Sequence, residues 1–299
     1  MSTSTFPASA PGFDVPAGAV DCHIHIVGSA DRFPFALIKS YAVPPATVAD
    51  YKKVAGKLGV DHAVVVQPSF YGADNSCLLA ALEEAGGQWR GVAVVEPGTP
   101  DDELQRLHAA GVRGTRLNLA SAKLDPNAEW RTRLTDTAAM VAKLGWHVQL
   151  FTASDLLGAV AKLQPQLVCP LVIDHFGLVK AATAGQEPMS GYLSDLCQIL
   201  DKGGWVKLSG LYRVADKADD PKLAKLARRL LDAYPDRCVW GSDWPHTPVH
   251  GGRGDHGDEL MPYRGLDTGR ELAPIATWLP REDDRNRLLV TNPSRLYDI

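Results

Sequence analysis

Apolar residues along the chain switch between two periods. Short runs rich in Val, Ile and Leu predict strands at 20–27, 62–67, 91–96, 112–119, 146–151, 169–174, 205–209 and 238–241. Between them, apolar residues spaced three and four apart predict helices at 46–58, 75–85, 101–110, 128–144, from Asp155 onward, 192–200 and 221–233. Two more, at 269–279 and 281–291, close the chain. In 46–58, for example, Val48, Tyr51, Val54 and Leu58 fall on one face. Near-continuous apolar strands alternating with helices require a parallel sheet buried on both faces, and eight such units fit a closed (β/α)8 TIM barrel. A doubly wound open sheet is the alternative, but no Gly-x-Gly-x-x-Gly follows the first strand.

Residues 1–16 are rich in Ser, Thr, Ala and Pro and predict a flexible or surface-hugging arm, which leaves 17–299 as a single barrel domain. The segment 28–45, with Arg32, Phe33, Phe35 and Tyr41, is too rich in Pro and aromatics for a plain linker. It reads as an ordered loop of the kind that covers a site.

Composition adds exclusions more than assignments. Of 299 residues 45% are hydrophobic, ample for a sizeable core, and the net charge of −4 with scattered basic residues gives no reason to expect nucleic acid or a membrane as partner. No apolar run approaches the ~18 residues needed to span a bilayer, and the start lacks a signal-peptide layout, so a cytoplasmic location is expected. Cys22, Cys77, Cys169, Cys197 and Cys238 form no Cys-x-x-Cys pair, and their odd number agrees with a reducing compartment.

In a (β/α)8 barrel the chemistry gathers at the C-terminal strand ends. Those ends carry His23 and His25, Gln67 and Ser69, Glu96, Arg116 and Asn118, Thr152, Asp174 and His175, Lys207 and Ser209, and Asp243 with His246. Strand alternation places His23 and His25 on one face with Cys22 and Ile24 on the other, so Cys22 is assigned a structural role. A pair of satisfied core histidines is the plainer reading of His-x-His. Buried imidazoles need hydrogen-bond partners or a metal, however, and two at the end of a first strand favour a site. His175 stands where an apolar strand runs out, with Gly177 allowing a sharp turn behind it. Asp243 lies between two tryptophans and beside Pro245. It either caps the following turn or binds a cation, a histidine or a water, because a carboxylate in such apolar company is otherwise costly.

Together, His23-x-His25, His175 and the run Gly241-Ser242-Asp243-Trp244-Pro245-His246 resemble the amidohydrolase superfamily. More narrowly they are similar to its lactonase branch, the 2-pyrone-4,6-dicarboxylate hydrolase-like family. The similarity runs from about Ala17 to Tyr297 and includes Arg32-Phe33-Pro34-Phe35, the stretch from Val112 to Asn118 and the closing Asn292-Pro293-Ser294-Arg295-Leu296-Tyr297. It implies a distorted (β/α)8 barrel and hydrolysis of lactones formed in the breakdown of aromatic or sugar acids.

On that resemblance Asp243 takes a proton from water, while His175, His23 and His25 polarise the ring carbonyl. Arg116 and Arg213 grip an acidic substituent of the substrate, a task suited to guanidinium, and Tyr41, Ser69 and His246 complete the binding surface. The family has an Arg where this chain has Ala122-Lys123, and a Tyr where it has Phe151-Thr152. Lys123 replaces the charge but not the paired geometry, which shifts the expected substrate from the pyrone dicarboxylate toward a muconolactone, sulfomuconolactone or sugar-acid lactone.

The branch includes metal-free and zinc-containing members, so one Zn2+ on His23, His25, Asp243 and His175, or none, stays open; no organic cofactor is expected. The expected partner is a small anionic lactone, and the expected assembly a monomer or homodimer. Two rivals stand beside the lactonase: a metal-dependent decarboxylase of the same superfamily, and a non-catalytic metabolite-binding barrel. The charged stretch 250–259 reads equally as a wall of the site or as a surface loop.

Overall fold

In the computed structural model, which describes residues 6–37, 41–120, 129–183, 191–248 and 260–299, eight parallel strands follow one another in sequence order around a (β/α)8 barrel. They are β1 (Val20–Ile24), β2 (His62–Val66), β3 (Arg90–Ala93), β4 (Val112–Asn118), β5 (His147–Phe151), β6 (Leu171–Ile173), β7 (Trp205–Ser209) and β8 (Cys238–Gly241). The principal helices of the outer layer are α1 (Val48–Leu58), α2 (Ser76–Glu84), α3 (Asp101–Ala109), α4 (Glu129–Ala142), α5 (Leu157–Leu163), α6 (Gly191–Asp201), α7 (Leu211–Val214) and α8 (Pro221–Ala233).

Helix starts and stops follow local chemistry. Thr47 and Asp50 form a reciprocal capping box at the start of α1, and Gly59 ends it in a left-handed conformation that lacks a Cβ penalty. Pro221, whose missing N–H costs nothing in a first turn, opens α8 behind the Asp220 cap. Its Leu223, Leu226, Ala227, Leu230 and Leu231 are buried, as the helical spacing requires.

Two apolar layers result. Val20, Cys22, Val64, Val66, Val92, Val172, Trp205, Val239 and Tyr297 form a compact inner cluster, while the alternate strand residues join the larger core shared with the helices. The opposed phase expected for Cys22 and the histidines is corrected here. The pairing of β1 with β2 shifts register between Asp21 and Ile24, a bulge that leaves Cys22 inward in step with Val20 and brings the adjacent His23 inward beside it. The buried Lys207 Nζ donates to the Cys22 carbonyl at 2.7 Å within this interior.

Between β8 and β1 the barrel closes through the segment that follows β8. Asp243 N–H donates to the His23 carbonyl at 2.9 Å, His25 N–H to the Trp244 carbonyl at 2.8 Å, and Ser242 N–H to the Asp21 carboxylate at 2.8 Å. Asp21 also accepts from Tyr51 Oη of α1 at 2.9 Å, and burial raises its pKa to about 6.

Residues 6–16 lie against this same seam: the Phe6 ring packs 4.8 Å from Trp244, Thr268 N–H donates to the Pro7 carbonyl, and Ser9 bonds Asp267. The two closing helices expected at 269–279 and 281–291 are broken into shorter pieces, because Pro274 starts a new turn after Thr268–Leu272 and a wide turn spans Arg287–Thr291. Among the described residues no helix is long and apolar enough to cross a membrane.

Candidate active site

The ends of β1, β6 and β8 bring three imidazoles around one carboxylate. Asp243 Oδ1 lies 3.7 Å from His23 Nε2, 3.6 Å from His25 Nε2 and 4.0 Å from His175 Nε2, and all four side chains are buried. Positive φ angles at His175 (51°) and Asp243 (61°) swing both side chains inward, a conformation that Asp and His tolerate better than most residues. Two glycines make room for them. A Cβ at Gly210 would sit 2.9 Å from His175 Nδ1 and 3.0 Å from Asp243 Oδ2, and one at Gly241 would sit 2.6 Å from His23 Cβ.

The two oxygens of Asp243 have different neighbours. Oδ2 accepts from Tyr212 Oη at 2.6 Å and Arg213 Nε at 2.7 Å, both on α7, and Arg213 also donates to Thr247 at 3.0 Å. Oδ1 has no hydrogen-bond partner. Burial alone would raise this carboxyl, but Arg213 and then His175, His23 and His25 outweigh it and hold the group well below the usual carboxylate range. Burial in turn lowers His25 and His175 to about 4 and His23 well below its ordinary value, which leaves the rings neutral at pH 7.

His25 Nδ1 lies 2.7 Å from the Val66 carbonyl, which can only accept, so Nδ1 carries the ring's single proton and Nε2 presents a lone pair to Asp243 Oδ1. Lone pair facing lone pair in a dry pocket is unfavourable unless a proton or a cation stands between them. Among the described residues, His23, His25 and Asp243 form one of two groupings whose ligand atoms lie within 4.8 Å of one another; His23, Asp174 and His175 form the other. In the second, Asp174 already faces Arg116 Nε at 3.2 Å and Lys207 Nζ at 4.0 Å. Two cationic side chains stand there, against the single Arg213 on Asp243, so the first grouping fits a metal better.

The remaining expected residues divide. Arg116 and Arg213 flank Phe151, with guanidinium carbons 5.2 and 5.6 Å from its ring centre, and the same ring lies 5.4 Å from His175. Tyr41 is buried, and its hydroxyl is raised by burial against the influence of Thr247 and Arg213. His246 bonds Thr268 Oγ1 at 3.2 Å and packs 5.8 Å from Tyr212. Ser69 opens the short turn after β2. Gln67 ties that loop together by donating to the carbonyls of Gly72 and Asp74.

Glu96 does not join the polar ring. β3 ends at Ala93, and Glu96 is exposed and paired with Arg133 on the surface. Lys123 and the 250–259 stretch lie outside the described residues. Sequence reasoning missed Tyr212 and Thr247; Lys207, expected in the polar ring, has the Cys22 carbonyl and Asp174 as its partners. Gly210-Leu211-Tyr212-Arg213 directly after β7 is the signal that could have found Tyr212, since residues following a barrel strand line the site.

A buried cluster of three histidines and one aspartate at the C-terminal mouth of a (β/α)8 barrel defines a class of enzymes that activate water or a carbonyl. The chain belongs to the amidohydrolase family, whose model matches residues 20–299. It is 34% identical to a 2-pyrone-4,6-dicarboxylate hydrolase of Comamonas testosteroni, over 97% of this chain and 93% of the relative. A 4-sulfomuconolactone hydrolase of Hydrogenophaga intermedia is 32% identical over 95% of this chain and 90% of its own. Among solved structures, one from Pseudomonas putida described as a 2-pyrone-4,6-dicarboxylic acid hydrolase superposes with a TM-score of 0.72 at 31% identity, covering 95% of this chain and 98% of that one.

Proposed function

We propose that this protein is a lactonase: a hydrolase that opens the ring of a small anionic lactone by attack of water on the ester carbonyl. The observation that carries the reading is the unpartnered Asp243 Oδ1, ionised and ringed by three imidazole Nε2 atoms. A carboxylate held in that state is an acceptor for a proton from water placed among the rings. Tyr212 and Arg213 fix it through Oδ2, so Oδ1 alone serves the chemistry. Protonation of Asp243 then supplies the proton that the leaving alkoxide needs. Of the three rings, His175 can present an N–H to an oxyanion, since Ser209 Oγ, 2.9 Å from its Nδ1, can donate there and leave the ring proton on Nε2; Arg116, beside Phe151, offers positive charge to an acidic substituent. The names of both relatives, one acting on a dicarboxylate and one on a sulfonated lactone, agree with an anionic substrate.

The donor set also fits zinc, which takes His nitrogen and Asp oxygen. His23, His25 and Asp243 would hold it, with His175 adjacent. Bound there, it would acidify a water and polarise the carbonyl.

Metal analysis of the purified protein, paired with hydrolysis of a panel of muconolactones, sulfomuconolactones, sugar-acid lactones and pyrone dicarboxylate before and after chelation, tests this reading. One or more lactones should turn over, and Asp243→Asn should lower kcat by about 10²- to 10⁴-fold. Stoichiometric zinc with chelator-sensitive turnover assigns the metal. No lactone turnover, with carbon dioxide released from a carboxylated aromatic, would replace the lactonase with the decarboxylase. Ligand binding without any turnover, altered only in affinity by Asp243→Asn, would leave a binding barrel.

A further inference from the structure

We propose that Asp174 is a positioning residue: it fixes His23 in the tautomer protonated on Nδ1, so that Nε2 is presented to Asp243 as a bare lone pair. Asp174 follows β6, is fully buried and stands on the far side of the His23 ring from Asp243. Its Oδ2 accepts from Arg116 Nε at 3.2 Å and Gln149 Nε2 at 3.1 Å. Its Oδ1 makes no hydrogen bond and stands 3.4 Å from His23 Nδ1. That separation is long for a hydrogen bond, and such contacts tighten when a site is loaded.

A carboxylate flanked by a guanidinium and an ammonium can only accept. Asp243 Oδ1 is a rival acceptor on the other side of the ring, but it stands farther away, 3.7 against 3.4 Å, so the single N–H of the neutral imidazole goes to the nearer carboxylate, Asp174. The opposite nitrogen, 3.7 Å from Asp243 Oδ1, is then the acceptor or ligand.

A second contact acts on the same residue from behind. Lys207 Nζ stands 4.0 Å from Asp174 Oδ1 and donates at 2.7 Å to the carbonyl of Cys22, the residue before His23 in the β1 bulge. The backbone that aims the ring and the carboxylate that sets its tautomer are thus held by one ammonium. Arg116 links this assembly to the pocket wall, because its guanidinium both binds Asp174 and lies over Phe151. A purely structural ion pair would stabilise the barrel interior without fixing which imidazole nitrogen carries hydrogen, and that difference is measurable.

The kinetic arm of the test rests on the lactonase reading; the spectroscopic arm does not. Nitrogen-15 spectra of histidine-labelled, metal-stripped protein, with the His23 signals assigned by their loss in His23→Gln, should show Nδ1 protonated and Nε2 not. The opposite tautomer in the wild-type protein would overturn the proposal without any further variant. Asp174→Asn, in which the amide can turn an N–H toward the ring, should reverse or mix the tautomer. It should also lower kcat about 10- to 100-fold with a smaller change in KM. An unchanged tautomer in that variant would overturn the proposal even if its Tm fell. Gln149→Leu also removes a partner of Asp174 but spares Oδ1, so it should keep the wild-type tautomer; a switch there would mean that packing, not the carboxylate, sets it. If no lactone is a substrate, the spectra still decide.

Discussion

Buried histidines among the described residues serve different ends that sequence does not separate. His23, His25 and His175 converge on Asp243, whereas His147, at the start of β5, packs its ring 5.4 Å from Tyr297 and leaves Nε2 without a partner. Burial lowers His147 to about 3. The unfolded chain, with an ordinary value near ~6.5, binds a proton there that the folded chain refuses, so acid favours unfolding between those two values. Asp21 and Glu271, raised by burial to about 6 and about 7, pull the opposite way: their contribution weakens as pH rises through the same region. His147→Gln should therefore recover stability relative to wild type as pH falls from 7 to 4.5. Melting curves at the two pH values check this, and a constant difference in Tm would refute it.

The sequence marked His23, His25, His175 and Asp243 because imidazole and carboxylate are out of place at apolar strand ends. It could not mark His147 as different, because that distinction depends on which end of the barrel a residue occupies and on what faces it.

Among the elements, β1 departs most from its pattern. Strict alternation predicts Cys22 opposite the histidines, but a bulge, visible only as a register shift against β2, puts His23 on the same inner side as Cys22. No residue type in Val20-Asp21-Cys22-His23 announces a bulge, so the strand was legible and its phase was not. The strand–helix order was legible nearly throughout, since the apolar stretches of β2, β4, β5, β7 and β8 lie close to where the structure places them. α7 was not: four residues are too short for helical periodicity to register, yet it carries both residues that grip Asp243 Oδ2.

Gly241 at the end of β8 shows how tightly the elements are fitted. An added Cβ would meet His23 Cβ at 2.6 Å and His23 N at 2.8 Å, and the latter is backbone that cannot turn aside. Gly241→Ala should push β8 from β1 and lower Tm by about 2–5 °C, on an overpacking cost of ~1–3 kcal/mol. A wild-type melting temperature would show that the seam can yield. Turnover should fall with it, since His23 moves with β1.

At the scale of the molecule, the barrel's closing bonds and its candidate chemistry share the same residues. Asp243 and His25, two members of the central cluster, donate backbone hydrogen bonds across the gap between β8 and β1, and His23 accepts one. Phe6, in the segment that composition had set apart from the site, braces the outer side of this join against Trp244. In a denaturant titration, turnover should therefore be lost at a lower concentration than helical ellipticity, because opening the seam separates the reacting groups while most strand–helix units remain paired. Coincident transitions would indicate a barrel that opens only as a whole.

The join spans 221 residues between Asp21 and Ser242. A chain still being synthesised carries His23 and His25 long before Asp243 exists, and no partial product can bring them together. On the roles proposed for these residues, hydrolytic capacity arrives in one step, when the ends of the sheet meet, and a chain that stops short of Asp243 should be inert.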